Sequence, residues 1–211
     1  MSIISLNDIC KKFDENIIFD NFNLEIEQGE FVSIMGKSGK GKTTLLNIIG
    51  LLEKSDSGDL KILDVKNPTF QSAKGIKLLR YHISYLFQNY GLVESGTVKY
   101  NLKMATHYLK YNKTEEEQKI DEALETVGLS GFKNKKVYKL SGGEQQRVAI
   151  AKVMLKPSEI ILADEPTGSL DADNRDIILK LLIDLNKRGR TIIVVTHDPQ
   201  VEKCASRQIK L

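Results

Sequence analysis

Residues 31–52, FVSIMGKSGKGKTTLLNIIGLL, leave this chain few ways to fold. The run opens apolar at Phe31, Val32, Ile34 and Met35, breaks at Gly36, and resumes at helical spacing through Leu45, Leu46, Ile48, Ile49 and Leu52. That periodicity predicts a buried strand feeding a helix through a glycine turn. Between the two elements Gly36, Gly41, Lys42 and Thr43 fit GxxxxGK[ST], in the strand-then-helix context that the phosphate-binding P-loop requires. Small residues let backbone N–H groups curl around phosphate oxygens, and the helix start adds about half a positive charge. Lys42 reaches the outer phosphates and Thr43 can offer Mg2+ its hydroxyl. From average glycine and lysine usage, a chance match in a chain this long is on the order of one per cent. Nucleotide binding is therefore the first expectation.

Length and composition narrow the class. At 211 residues the chain suits one large domain, or one domain with an inserted lobe. Hydrophobic residues at 41% and charged ones at 28% describe ordinary globular composition. The 31 basic and 28 acidic residues leave a net charge of +3, too weak to argue for a nucleic-acid partner. No basic segment precedes a long apolar core at the N-terminus, and no apolar run approaches the length of a membrane span, so neither secretion nor spanning is expected. Cys10 and Cys204 stand far apart in no CxxC, which argues against a disulfide framework or metal knuckle.

Along the chain, residues Ile3 to Ile9 and Asn16 to Ile26 alternate loosely between apolar and polar and predict short antiparallel strands ahead of the P-loop strand. Asp59 to Val65 reads as one strand, Ala73 to Arg80 as a helix, and Ile83 to Phe87 as a strand ending on Gln88. Residues Asn89 to Pro157 turn predominantly helical and predict an inserted helical lobe. In it Thr114 to Glu117 fits a capping box and Gly128 ends the helix. Lys133, Lys135, Lys136 and Lys139 read as a solvated loop. Ile160 to Ala163 and Thr191 to Val195 are short, continuously apolar strands. Between them Asp171 to Lys187 is a helix with a stripe of Ile177, Ile178, Leu181, Leu182 and Leu185. Strands buried on both faces with helices between them predict an α/β fold with a helix-covered parallel sheet. Ligands of such sheets sit at the C-terminal strand ends, where Gly36, Gln88, Asp164 and Thr196-His197 converge.

Asp164 and Glu165 close an apolar strand, where an unpaired carboxylate is costly. Successive strand residues face opposite sides, and Pro166 is expected to hold Glu165 extended, so the two carboxylates take different roles. Asp164 suits Mg2+ through water, and Glu165 suits polarising the water that attacks in phosphoryl transfer. Gln88 meets either the metal or that water. Further on, Leu140 to Gln145 (LSGGEQ) carries a capping box, Ser141 with Glu144, at the start of a helix over Gln145 to Leu155. The two glycines expose backbone donors at the positive helix end, a second phosphate-binding surface in one chain. One nucleotide uses both cradles only if two copies face each other head to tail, each P-loop covered by the partner's Ser141-Gly142-Gly143.

Taken together these motifs resemble the nucleotide-binding subunit of an ABC transporter. The P-loop is GKSGKGKTT, the Q-loop glutamine is Gln88 in YLFQN, and the signature is LSGGEQQRVAIA from Leu140 to Ala151. Walker B reads IILADEP, the D-loop is SLD at Ser169 to Asp171, and the switch histidine His197 sits in VVTHDP. The resemblance implies a P-loop NTPase with a RecA-like core sheet flanked by helices, an antiparallel β subdomain and a helical subdomain. The core is expected over 1–88 and 158–211 and the helical part over 89–157. It implies a homodimer that sandwiches ATP with Mg2+, hydrolyses it, and drives a separately encoded transmembrane permease, with no nucleic acid involved. The subunit would lie peripherally on the cytoplasmic face of the cell membrane.

Residue by residue, the resemblance implies that Gly36, Lys37, Ser38, Gly39, Lys40, Gly41, Lys42, Thr43 and Thr44 cradle the phosphates and that Phe13 stacks on adenine. Ser141, Gly142, Gly143 and Asp171 would serve across the dimer. Glu165, His197 and Gln88 would serve catalysis, and Thr43, Gln88 and Asp164 the metal. Lys37 and Lys40 replace smaller or neutral residues and either add charge near phosphate or point to solvent, and Lys152 stands where arginine is common. The string LADEPTGSLD is similar to the exporter group of macrolide-efflux, lipoprotein-releasing and antimicrobial-peptide or bacteriocin ATPases. Two rival readings are a nucleotide-gated scaffold that hydrolyses little and an ABC-type ATPase acting on nucleic acid. Intact Glu165 and His197 oppose the first, and the lack of sustained heptads or a basic tract opposes the second.

Overall fold

The computed structural model describes residues 1–37 and 39–211, so Ser38 of the expected cradle lies outside the described residues. The chain begins with strands β1 (Ser2–Phe13) and β2 (Asn16–Glu27), paired antiparallel, and continues into β3 (Phe31–Met35). Helix α1 (Lys42–Ile49) follows the P-loop, then β4 (Ser57–Ile62) and the two-residue β5 (Val65–Lys66). Strands β2, β1, β4 and β5, in that order, form an antiparallel sheet. After α2 (Ala73–Tyr81) and β6 (Ile83–Leu86), the chain becomes helical: α3 (Val98–Thr106), α4 (Lys113–Thr126), a 3-10 turn over Val137–Lys139, and α5 (Gly142–Leu155). It closes with β7 (Ile160–Asp164), α6 (Ala172–Lys187), β8 (Thr191–Val195), α7 (Pro199–Cys204) and β9 (Arg207–Lys210). Strands β6, β7, β8, β3 and β9 make a wholly parallel sheet in that order.

The strand period of two sorts each central strand between two cores. On one face Ile161, Ala163, Ile192, Val194 and Phe31 pack with α3, α4, α5 and α6. On the other Ile160, Leu162, Ile193, Val195, Val32 and Ile34 pack with α1 and the antiparallel sheet. Both faces are covered, which is why these strands read as continuous apolar runs rather than as alternations. Among the described residues no helix is long and apolar enough to cross a membrane.

The structure departs from the expectations at several local points, each with a physical cause. Asp59 to Val65 is not one strand. Leu63 takes φ +51, and Ile62 pairs with Val65 across a two-residue turn. Helix α1 stops at Ile49, where Gly50 caps it, so Leu52 is left half-exposed rather than continuing the apolar stripe. The capping box of α4 starts two residues earlier than expected: Asn112 caps, and Glu115 returns to its backbone N–H at 2.9 Å. On α6, Ile177 is 41% exposed, and Leu179 is buried in its place. The lysine loop is not simply solvated, since Lys133 pairs with Glu117 at 3.0 Å and with Asp121 at 2.7 Å. Strand β9 and helix α7 carry too short a pattern to be read from sequence, and β9 finds its place only by pairing with β3.

Glu117 ties three segments of the helical region together, meeting Lys99 of α3 at 2.7 Å, Lys103 of α3 at 3.3 Å, and Lys133 of the loop. Lys99 first, then Lys133, holds its carboxyl down at about 2. Because the folded value lies below the ordinary 4.5, the stabilisation is complete above pH ~4.5 and fades as pH falls towards ~2. The group is partly exposed, so the effect is modest: Glu117→Gln is expected to lower Tm at neutral pH by about 1–3 °C. Melting curves across the acid range should show that gap closing within the same window, and a gap constant with pH would assign the loss to packing instead.

Candidate active site

The C-terminal ends of the parallel strands open into a crevice of about 770 Å³. Its floor is the P-loop. Gly41 adopts φ +85 immediately before α1, and a Cβ there would come within 2.4 Å of Ile18 and 3.0 Å of Phe19, so only glycine fits. Among the described residues no side chain caps α1, so its first backbone donors are left for a ligand in the crevice. Lys42 lies against its own loop, donating to Gly36 O at 2.7 Å and Lys37 O at 3.0 Å. Gly39, Gly41, Lys42, Thr43 and Thr44 line the crevice, whereas the side chains of Lys37 and Lys40 are exposed outside it. The solvent alternative for these two lysines is the one the geometry favours.

Asp164 ends β7 and is only 8% exposed. Its carboxylate accepts from the Thr43 hydroxyl at 3.3 Å. Burial pushes its pKa up, against the pull of Thr43 and of the nearby Lys42 ammonium. Glu165 corrects the expectation of an extended residue: it takes φ +46, in the left-handed region, and its N–H donates to Val195 O at 2.9 Å. A non-glycine residue held there stores strain that the surrounding sheet must enforce. The turn still separates the two carboxylates, by a left-handed kink instead of the strand's own alternation. Glu165 Oε2 accepts the backbone N–H of His197 at 3.3 Å, and the His197 ring Nε2 lies 3.5 Å from Oε1. Burial raises the Glu165 pKa as well, opposed by that N–H and by the imidazole.

Gln88 lines the crevice from just beyond β6, and Phe13 lines its outer wall from the end of β1. The Phe13 ring is 45% exposed and is backed by the Lys11 ammonium 4.7 Å from its centroid. Lys11 is itself anchored on Glu53 at 2.7 Å and on Lys54 O at 2.9 Å. Sequence reading missed several lining residues, among them Thr167, Gly168, Arg175 and Asp198. Asp198 accepts from the Thr167 hydroxyl at 3.1 Å and caps α7, which draws two strand-end loops together. The polar residues beside Glu165 and His197 were the available signal, but their meeting is a tertiary fact.

The donor set fits a divalent cation beside phosphate. Among the described residues no cluster of three His, Cys, Asp or Glu side chains exists that would bind a metal unaided. A buried carboxylate next to a threonine hydroxyl at a helix start, with a lysine at hand, instead suits Mg2+ that takes its remaining oxygens from a phosphate and water.

Ser141, Gly142 and Gly143 do not line this crevice, and neither does Asp171. Ser141 caps α5, accepting from Glu144 N at 3.3 Å while Glu144 returns to Ser141 N at 2.7 Å, as the spacing predicted. Gly143 also has a steric reason inside the chain: a Cβ there would lie 2.4 Å from Asn174, which Asp171 holds from the start of α6. Gly143 and the start of α6 are therefore packed together, whereas Gly142 faces the Tyr90 hydroxyl, and neither glycine lines the crevice.

A protein-family model described as ABC transporter matches residues 19–168. The macrolide export ATP-binding/permease protein MacB of Campylobacter jejuni is 40% identical over 99% of this chain, which spans 33% of that relative's length. The ABC transporter ATP-binding protein YvrO of Bacillus subtilis is 39% identical over 98% of this chain and 92% of its own. Among solved structures, the dimeric structure of MJ0796, described as a bacterial ABC transporter cassette, superposes with a TM-score of 0.90 at 38% identity, covering 99% of this chain and 94% of that one. A second structure of MJ0796, described as a dimeric post-hydrolysis state bound to ADP and Pi, gives 0.89 at the same identity. With the P-loop, the strand-end carboxylates and the LSGGEQ helix start in one fold, this chain belongs to the ABC transporter family and is one of its ATP-binding ATPase cassettes.

Proposed function

We propose that the chain is the ATP-hydrolysing subunit of an exporter for a peptide, bacteriocin or hydrophobic compound, acting as a homodimer on a separately encoded membrane permease. One observation supports the reading: the chain has two glycine-marked helix starts, and of these the start of α1 lines the crevice while that of α5 does not. The start of α5 is left for a nucleotide held by a second copy. The dimeric MJ0796 cassettes, similar over nearly the whole chain, support this, and the names of the MacB relatives support export. YvrO, matched over nearly its full length, is named an ATP-binding protein, which supports a permease on another chain. In this reading the subunit sits peripherally at the cytoplasmic membrane face, and residues 89–157 act as a helical lobe on a nucleotide-binding core.

The chemistry follows from the groups at the strand ends. Lys42 would exchange its loop carbonyls for phosphate oxygens, and the free N–H groups of α1 would hold the anion. Mg2+, when bound, would neutralise phosphate charge, held by Thr43 and Asp164. Glu165 takes the proton of the attacking water on a carboxylate oxygen, and its raised pKa suits that task. His197 steadies that carboxylate through its backbone N–H and its ring. Gln88 meets the metal or the water, and Phe13 offers adenine its exposed face.

Glu165→Gln should cut ATP turnover by about 10²–10⁴-fold while MgATP still drives dimers, as measured by phosphate release and light scattering. Equal, slow hydrolysis by both proteins with intact assembly would overturn the enzymatic reading. Ser141→Arg costs about 1 kcal/mol of helix cap and should block ATP-driven dimerisation while leaving nucleotide binding by the monomer nearly intact. A normal dimer on light scattering would remove the composite site. Phe13→Ala should weaken binding of ATP more than of tripolyphosphate in competition titrations, and an equal change in both would deny the ring its stacking role.

A further inference from the structure

Among the described residues the buried lysines are Lys42 and Lys11. Lys42 belongs to the phosphate loop, whereas Lys11 lies outside the crevice and touches Phe13, which lines it. The two residues stand two apart at the end of β1, so strand alternation puts their side chains on one face. There the Lys11 ammonium sits over the Phe13 ring, 4.7 Å from its centroid, while Phe13 keeps 45% of its surface exposed.

The ammonium is gripped by the segment that leaves α1. Its Nζ donates to Glu53 Oε1 at 2.7 Å and to Lys54 O at 2.9 Å, with Asp56 Oδ1 3.6 Å away. Asp56 also accepts the Lys12 N–H at 2.8 Å and donates its own N–H to Cys10 O at 2.9 Å. Glu53 in turn is held on α1, its N–H donating to Asn47 O at 3.1 Å. One helix therefore presents its start to the phosphate loop and, through its exit, fixes the cation beside Phe13. Burial lowers the Lys11 pKa, but the Glu53 and Asp56 carboxylates outweigh it, the net shift is upward, and the ammonium stays charged at neutral pH. A staple between β1 and this segment does not by itself call for charge, because a buried ion pair stabilises no better than well-packed apolar residues of similar volume. What the charge adds is the contact with the ring.

We infer that Lys11 is a positioning residue for the nucleotide base: its ammonium fixes the Phe13 ring by a cation–π contact and sets the plane on which adenine stacks. The inference rests on the reading of Phe13 as the stacking ring and adds what holds that ring in place. The π face of the ring is negative, so a cation against it is attractive and restricts the side chain's rotation. The same cation draws π density towards itself and leaves the opposite face less repulsive to the π cloud of a purine. An unrestrained, half-exposed ring loses rotamer freedom when a base binds; Lys11 takes that loss in advance, in the folded chain.

The test compares ATP with tripolyphosphate, which has the phosphates and no base, in competition titrations with Mg2+ against the full chain. Lys11→Met keeps the bulk of the stem and removes the charge, and should weaken ATP about threefold relative to tripolyphosphate. Lys11→Arg should restore most of that loss. In a Phe13→Ala background, Lys11→Met should leave the ratio where Phe13→Ala alone puts it. Glu53→Gln leaves the lysine charged but loosens its seat; it should shift the ratio in the same direction, and it replaces Lys11→Met if melting curves show that variant unfolded. A residue that only staples would instead lower Tm and weaken both ligands alike. That result, or a selective loss that persists in full without the ring, overturns the inference. If Phe13→Ala weakens both ligands equally, the stacking reading fails and the inference with it; if Phe13→Ala is selective and the Lys11 and Glu53 variants are not, the inference alone fails.

Discussion

Burial of the parallel sheet on both faces is the constraint from which the rest follows. Ile160, Ile161, Ile192 and Ile193 have no solvent side to which a polar neighbour could turn, so polar chemistry is pushed out along the strands to their ends. Because all five strands run the same way, those ends lie together. A loop of glycine and lysine, an aspartate, a glutamate, a glutamine and a histidine thus meet in one crevice although the chain separates them by more than half its length.

Within that crevice the groups contact one another closely. Lys42 is satisfied by carbonyls of its own loop, and Asp164 and Glu165 are driven towards neutrality by burial. A magnesium–phosphate ligand would set an anion against Lys42 and a cation against Asp164. The kinked backbone of Glu165 belongs to the same logic. The strain is local, and the Glu165 carboxylate lies beside His197.

Helix α5 connects the parts that would otherwise be independent. Its first turn carries the signature serine and glycines, its middle is buried against the sheet through Val148, Ile150 and Ala151, and at its end Lys156 donates to Leu79 O and Ile83 O beside β6.

Much of this was legible in the order of residues. Period-two and period-3.6 patterns found the central strands and helices, and the P-loop, the strand-end carboxylates and the Ser141 cap were read at their correct positions, because each depends on neighbours within a few residues. What escaped was non-local. Strand β9 pairs with the edge of β3, Ile177 faces out while Leu179 is turned inward, and Glu165 takes a left-handed turn at the end of β7. The sequence by itself determined that a phosphate loop, two distinct carboxylates and a glycine-rich helix start are present, since local backbone preference and residue chemistry are carried by the residues themselves. Only the tertiary structure decided which of these share a crevice and which are turned away from it, because proximity and desolvation arise from packing between segments distant along the chain.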